Sequence, residues 1–291
     1  MLKKLQRFRP SRRTPEQLKK AVARRRRGKA MAQLTEEPIA WHARSDGNHW
    51  PLAERLRASL DDPALFDARV ERVNDLQGLP GRAAGGTPVQ RFKLQTLAKI
   101  AADATAPFVW SDVDVQPLGS LKKLRAAIDA ALGTDADLLV QREFADCGCN
   151  VGFLLVRPSR RLDAFLETWL GDLEATNTLD QKLLNRYLLN GEASIRVRRL
   201  PEVFWASSAS PPPLTELVLH HANFVVDTER RPSSDPTPKL AQLDLVERCF
   251  REDDAGAWAA LAASIAADPS LAKYRERHFP AAQAGAWAAL P

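Results

Sequence analysis

The chain predicts an α/β fold: a mostly parallel sheet covered by helices on both faces, followed by a C-terminal helical extension. Three observations carry that expectation. Short apolar runs alternate with amphipathic stretches of ten or so residues, the pattern of strands joined by crossover helices. One apolar run, Phe108-Val109-Trp110-Ser111, leads straight into Asp112-Val113-Asp114. Beyond Phe250 the composition turns Ala-rich, and the heptapeptide Ala-Gly-Ala-Trp-Ala-Ala-Leu occurs at 255–261 and again at 284–290. Two copies are too few for a solenoid, so a helical appendage packed by Trp258 and Trp287 is expected.

At 291 residues, 45% hydrophobic and 27% charged, the chain has the composition of an ordinary folded protein with a sizeable core. The formal net charge of +6 is unevenly spread. Thirteen of the first 30 residues are Lys or Arg, against the single acid Glu16, which leaves the remainder net acidic. The high isoelectric point therefore belongs to an arm spanning 1–36 and does not argue that the folded body binds nucleic acid. Three cysteines, Cys147, Cys149 and Cys249, make no disulfide framework and lack the spacing of a zinc knuckle. No eighteen-residue apolar run and no apolar signal core are present, so no transmembrane helix and a cytoplasmic address are expected.

Taken in order, Thr14-Pro15-Glu16 starts a basic helix to about Arg27, either a solvated arm or one that docks on an anionic surface. Pro38 to His42 forms the first strand, and a polar loop runs from Ala43 to Asn48. Leu52, Leu56 and Leu60 mark a helix from about Pro51 to Leu60. A strand over 68–73 precedes a Gly- and Pro-rich loop at 77–88, which lacks the spacing of a phosphate-binding loop. Helices follow at 89–102, 121–132, 160–170 and 180–189, with strands at 137–141, 151–156, 194–200 and 217–219. The helical extension is set at 249–291, after a folded domain over 37–248.

In an extended segment, residues i and i+2 leave on the same side, so Asp112 and Asp114 aim two carboxylates at one point where a buried strand surfaces. That suits a hard divalent cation, which takes oxygen ligands and shares its remaining positions with water and phosphates. An aspartate ending a strand also serves as a helix cap or turn residue.

Five marks in order resemble the nucleotide-diphospho-sugar transferases, glycosyltransferases of the GT-A type. They are Ile39-Ala40-Trp41-His42, Lys93 heading a helix, Asp112-Val113-Asp114, Asn150-Val151-Gly152, and Asp180-Gln181-Lys182-Leu183-Leu184-Asn185. His221-Ala222-Asn223 with Lys239 looks like the family's closing His-x-Asn and lysine. The resemblance covers about 37–245 and implies a GT-A-like, Rossmann-like sheet. It further implies metal-dependent transfer of a sugar from a UDP- or GDP-sugar to an acceptor hydroxyl, with retention of configuration.

On that resemblance Asp112, Asp114 and His221 hold Mn²⁺ or Mg²⁺, with His220 able to exchange roles with His221. Trp41 and His42 meet the base or ribose, Lys93 and Lys239 place charge by phosphate, and Asn150 contacts the sugar. Asp180 binds sugar hydroxyls or steadies a cationic transition state, and Gln181 faces the reacting carbon. Each residue also has a plainer role: Trp41 in the core, Asp180 as a cap, the lysines solvated, Gly152 allowing close packing. A glycan or glycolipid is the first expectation for the acceptor, with protein or nucleic acid behind it. The competing class is a nucleic-acid or anionic-surface binder working through its basic arm, whose affinity would fall steeply with salt. A sugar-nucleotide synthase would carry a Gly-rich, Arg-containing loop after the first strand, where this chain has Ala43 to Asn48. A two-metal nuclease or phosphatase needs further carboxylates, and none is evident in the sequence.

Overall fold

A computed structural model of the protein describes residues 37–73, 87–144, 146–176, 178–225, 235–279 and 287. The basic arm over 1–36, most of the 77–88 loop and the second heptapeptide apart from Trp287 lie outside them. The described residues from 38 onward form one unit.

Its spine is a six-stranded sheet in the order β2-β1-β3-β6-β5-β7. The strands are β1 (Ile39–Ser45), β2 (Phe66–Arg72), β3 (Phe108–Ser111), β5 (Leu138–Arg142), β6 (Cys149–Val156) and β7 (Val197–Arg199). Parallel pairings join β1 to β2, β1 to β3 and β5 to β7, whereas β6 runs antiparallel to both of its neighbours. The sheet is mostly parallel, as expected, with β6 as its antiparallel member. Every residue of β3 and β6 is buried, which explains why those segments read as apolar runs without alternation.

A second sheet, β4-β9-β8, is built from Val115–Pro117, Leu219–His221 and Phe204–Ala206. The strand expected at 217–219 lies two residues later, because a 3₁₀ turn at Leu214–Glu216 uses up the chain before it. This small sheet determines the site. Val115 pairs with His221, so the residue before β4, Asp114, meets the end of β9.

Eight helices surround the sheets among the described residues: α1 (Trp50–Ser59), α2 (Thr87–Asp103), α3 (Leu121–Leu132), α4 (Arg160–Thr176), α5 (Asp180–Asn190), α6 (Thr237–Glu252), α7 (Ala255–Ala266) and α8 (Pro269–His278). In α3 the buried Leu124, Ile128, Ala131 and Leu132 form the inward stripe that a 3.6-residue period produces. Gly191, at φ 68°, closes α5 in the left-handed conformation that glycine adopts without a Cβ clash. Asp254 caps α7 through the Ala257 amide at 2.9 Å, and Asp268 caps α8 through Ser270 and Leu271.

The expected boundary at 248/249 falls inside α6, which runs through it without a break. The Ala-rich helices are part of the main core. Trp258 of α7 meets Trp205 of β8 edge-on at 5.0 Å, and its Nε1 donates to the Pro212 carbonyl at 3.2 Å. Trp205 in turn stacks on His220 at 4.4 Å, and Trp287 is buried against Phe279. The three cysteines are free and buried, and burial pushes the Cys147 and Cys149 thiols up to about 12, as inert thiols require.

Candidate active site

A cleft of about 600 Å³ opens over the ends of β1, β3 and β6. Asp112 follows β3, and its amide donates to the Gly152 carbonyl of β6 at 2.7 Å. Asp114 is fixed on its other side by the Ala222 amide, which donates to the Asp114 carbonyl at 2.9 Å. Asp112, Asp114 and His221 each offer a ligand atom, all within 4.8 Å of one another, and among the described residues no other such group occurs.

The imidazole of His221 is oriented from behind. Gln141 Nε2 donates to the Phe204 carbonyl at 3.3 Å, so Gln141 Oε1 faces His221 Nδ1 at 2.9 Å and accepts its proton. Nε2 then faces Asp114 Oδ1, 3.3 Å away. A buried carboxylate and ring nitrogen this close need positive charge between them, which a proton on the imidazole or a bound cation supplies. A divalent cation with two carboxylate oxygens and one imidazole fits this donor set, and the Gln141 bond is the outer contact that metal-bound histidines carry. Gly152 makes the arrangement possible. A Cβ there would lie 2.0 Å from His221 Cε1.

Two lysines complete the corner. Lys93 of α2 donates to Asp112 Oδ1 at 2.9 Å and lies 3.8 Å from Asp180 Oδ2, while Lys239 of α6 donates to Asp114 Oδ2. Burial opposes charge on both lysines, yet the facing carboxylates outweigh it and raise both pKa values. Burial also works against the Asp114 carboxylate, but Lys239 and His221 hold it far below the ordinary range. Lys239 is placed by α6, which Arg55 of α1 holds through ion pairs to Asp244 and Glu247 while its Nε donates to Gln116 of β4 at 2.6 Å.

On the far side of the cleft α5 is pinned to β6. Asn185 accepts from the Cys149 amide at 2.8 Å and donates back to the Cys149 carbonyl at 3.0 Å. That clasp sets Gln181 beside β6, where its Oε1 accepts from the Val151 amide at 3.4 Å. Asn150 accepts from the Gly152 amide at 2.8 Å and donates to Glu143 Oε2 at 2.6 Å. Asp180 stands in the first turn of α5, its Oδ1 accepting from the Gln181 amide at 2.8 Å and its buried Oδ2 lacking a hydrogen bond. Burial raises the pKa of Asp180 and of Glu143 against the pull of their partners, Lys93 for the first and Asn150 for the second.

The structure therefore brings together Lys93, Asp112, Asp114, Asn150, Asp180, Gln181, His221 and Lys239 around one cleft. It does not bring Trp41 or His42 there. The first strand continues to Ser45, three residues past the expected end, so both lie in the core. Trp41 donates to Ser111 Oγ at 2.7 Å and packs on Phe66 and Phe153; His42 packs edge-on against Phe108, and burial lowers its pKa to about 4. The residues at the mouth of β1 are instead Ser45, Asp46 and His49, with Asp46 Oδ1 accepting from the His49 amide and ring. His220 lies behind the site and does not exchange with His221: it is buried, stacked on Trp205, and burial lowers its pKa to about 3. Glu143 and Tyr274 are cleft residues that carried no sequence signal.

No protein-family profile and no curated protein matches the chain. Solved structures similar to it include a glycosyltransferase involved in glycosylation of the major capsid of PBCV-1, at 14% identity over 64% of this chain and 95% of that one, TM-score 0.48. The galactosyltransferase LgtC in complex with donor and acceptor sugar analogs is 15% identical over 81% of this chain and 100% of that one, TM-score 0.47. GlyE of Streptococcus pneumoniae TIGR4 is 12% identical over 78% of this chain, which spans 63% of GlyE, TM-score 0.46.

Proposed function

We propose that the protein is a metal-assisted glycosyltransferase that moves a sugar from a nucleotide-diphosphate donor, a UDP- or GDP-sugar, to an acceptor hydroxyl. The observation that carries this reading is the corner of Asp112, Asp114 and His221, whose ligand atoms lie within 4.8 Å of one another, with His221 Nε2 facing the Asp114 carboxylate across 3.3 Å. Mn²⁺ or Mg²⁺ held there would supply the charge that neutralises a departing nucleotide diphosphate. The chain's own contribution is to hold that charge out of water beside two lysines, Lys93 and Lys239, which favour an anionic ligand at the same place.

By the motif resemblance, Asp180 binds sugar hydroxyls or stabilises positive charge on the sugar ring, and Gln181 faces the reacting carbon with retention of configuration. Asn150 is one more sugar contact, since its Nδ2 and Oδ1 each keep hydrogen-bonding capacity. The nucleoside is assigned to Ser45, Asp46 and His49 at the mouth of β1. A glycan or glycolipid is the proposed acceptor. The proposed address is cytoplasmic, with the basic arm meeting an anionic membrane face; no described helix is long and apolar enough to cross a membrane.

Turnover of a panel of UDP- and GDP-sugars, with and without Mn²⁺, tests this. Cation-dependent release of the nucleotide that disappears in Asp112→Ala and Asp114→Ala, with the fold intact, is the expected result. Turnover that survives both substitutions, or a folded wild-type protein that neither binds nor cleaves any donor with Mn²⁺ present, would overturn it.

A further inference from the structure

The motif resemblance ends before α7 and α8, yet α8 reaches the cleft, which Leu271 and Tyr274 line. Tyr274 Oη accepts from Gln181 Nε2 at 3.3 Å and shares the cleft lining with Glu143, whose Oε2 takes the Asn150 amide at 2.6 Å. Asn150, Glu143, Tyr274 and Gln181 thus form one polar row drawn from β6, the end of β5, α8 and α5. The tyrosine ring is seated against Phe144 at 6.3 Å, His278 at 4.8 Å and Phe279 at 6.2 Å. Arg275 ties the same helix to Asp146.

Sheet order fixes which end of the cleft this is. Asp112 ends β3; β1, with Ser45 and Asp46, lies on one side of it, and β6 and β5, with Asn150 and Glu143, lie on the other. A donor anchored at the cation corner with its nucleoside at β1 therefore extends its sugar toward β6, and α8 stands beyond that sugar. A phenol carries one proton and two lone pairs. With one lone pair given to Gln181, the other remains, and the Glu143 carboxylate, which accepts from Asn150, has acceptor capacity to spare. Both groups want a proton donor, which is what an incoming hydroxyl presents.

We infer that α8 is the acceptor wall of the cleft and that Tyr274 is a specificity-determining residue, its Oη and Glu143 together receiving the attacking hydroxyl of a carbohydrate acceptor. This rests on the donor reading proposed above. It makes the Ala-rich extension part of the recognition machinery.

The test uses the full chain with Mn²⁺, UDP- and GDP-sugars as donors, and a panel of methyl hexosides as acceptors. Transfer and donor hydrolysis are measured in the same reaction. For Tyr274→Phe, which keeps the ring packing, the ratio of transfer to hydrolysis falls about tenfold, chiefly through acceptor KM. An equal fall in both rates, or an unchanged acceptor KM, overturns the inference. Saturation-transfer NMR of the same methyl hexosides, with Mn²⁺ and UDP present, reads binding without turnover. Hexoside signals that Tyr274→Phe abolishes, in a protein that cleaves no donor, uphold the wall and count against the donor reading. Hexoside signals indifferent to Tyr274, in a protein that does cleave donor, count against the wall alone.

Discussion

Asp114 and Glu143 are carboxylates buried in the same cleft, and their surroundings push them in opposite directions. Asp114 faces Lys239 and His221, whose charges and hydrogen bonds overcome burial and keep it an anion. Glu143 has no lysine beside it; burial raises its pKa and outweighs the hydrogen bond from Asn150 and the pull of His221. The difference is one of task. A permanently charged carboxylate suits a cation, whereas one surrounded by amides and a phenol suits the hydroxyls of a sugar.

The largest expected effect that would sharpen this contrast is at the charged end. Asp114→Asn removes an anionic ligand and should lower turnover about 10³-fold, with Mn²⁺ binding by electron paramagnetic resonance weakened in parallel; turnover within a few-fold of wild type would break the comparison. Next comes Gly152→Ala. Its Cβ must displace the His221 ring, so cation affinity should drop about 10- to 100-fold, and thermal unfolding should show a loss of about 2 kcal/mol.

Lys239→Met leaves Asp114 short of one partner. Because 31% of the lysine side chain is exposed, screening limits the cost to about 1–2 kcal/mol in chelator-treated protein. Adding Mn²⁺ should then raise Tm more in this variant than in wild type, as the cation takes over the missing charge.

The smallest effect belongs to Glu143. A folded-state pKa above the ordinary 4.5 means that its contribution is fully favourable below pH 4.5 and is lost as pH rises through the raised value. Glu143→Gln removes that loss. Its Tm should exceed wild type by about 2 °C at pH 8 and match it near pH 4, in scanning calorimetry across that range.

The charged end was readable in the sequence because its key pair obeys a local rule. Asp112 and Asp114 sit two apart after an apolar strand, and extended geometry alone brings them together. His221 and Lys239 came from motif resemblance; the Val115–His221 register explains the first, and helix α6, which was not anticipated, explains the second. At the proposed sugar end Asn150, Asp180 and Gln181 also came from motif resemblance, whereas Glu143 and Tyr274 gave no signal. Glu143 follows a register shift between Val140 and Gln141 in β5, which breaks the alternation that would show which way it faces. Tyr274 arrives from more than 90 residues beyond Gln181 in a helix whose polar face reads as solvated. Trp41 and His42 were misplaced because Ala43-Arg44-Ser45 reads as a polar loop. Pairing with β2 extends the strand through it, and Arg44 meets Glu71 at 3.1 Å across that pair.

The Trp258, Trp205 and His220 stack ties the tail of the chain to the strand that carries His221. A shortened version ending near residue 248, the natural choice for anyone trimming the Ala-rich tail to improve expression, would strip one indole from the back of β8 and β9. Such a fragment would lose support behind His221, and with it the proposed cation corner, as well as the proposed acceptor wall, so two apparently separate defects would trace to a single cut.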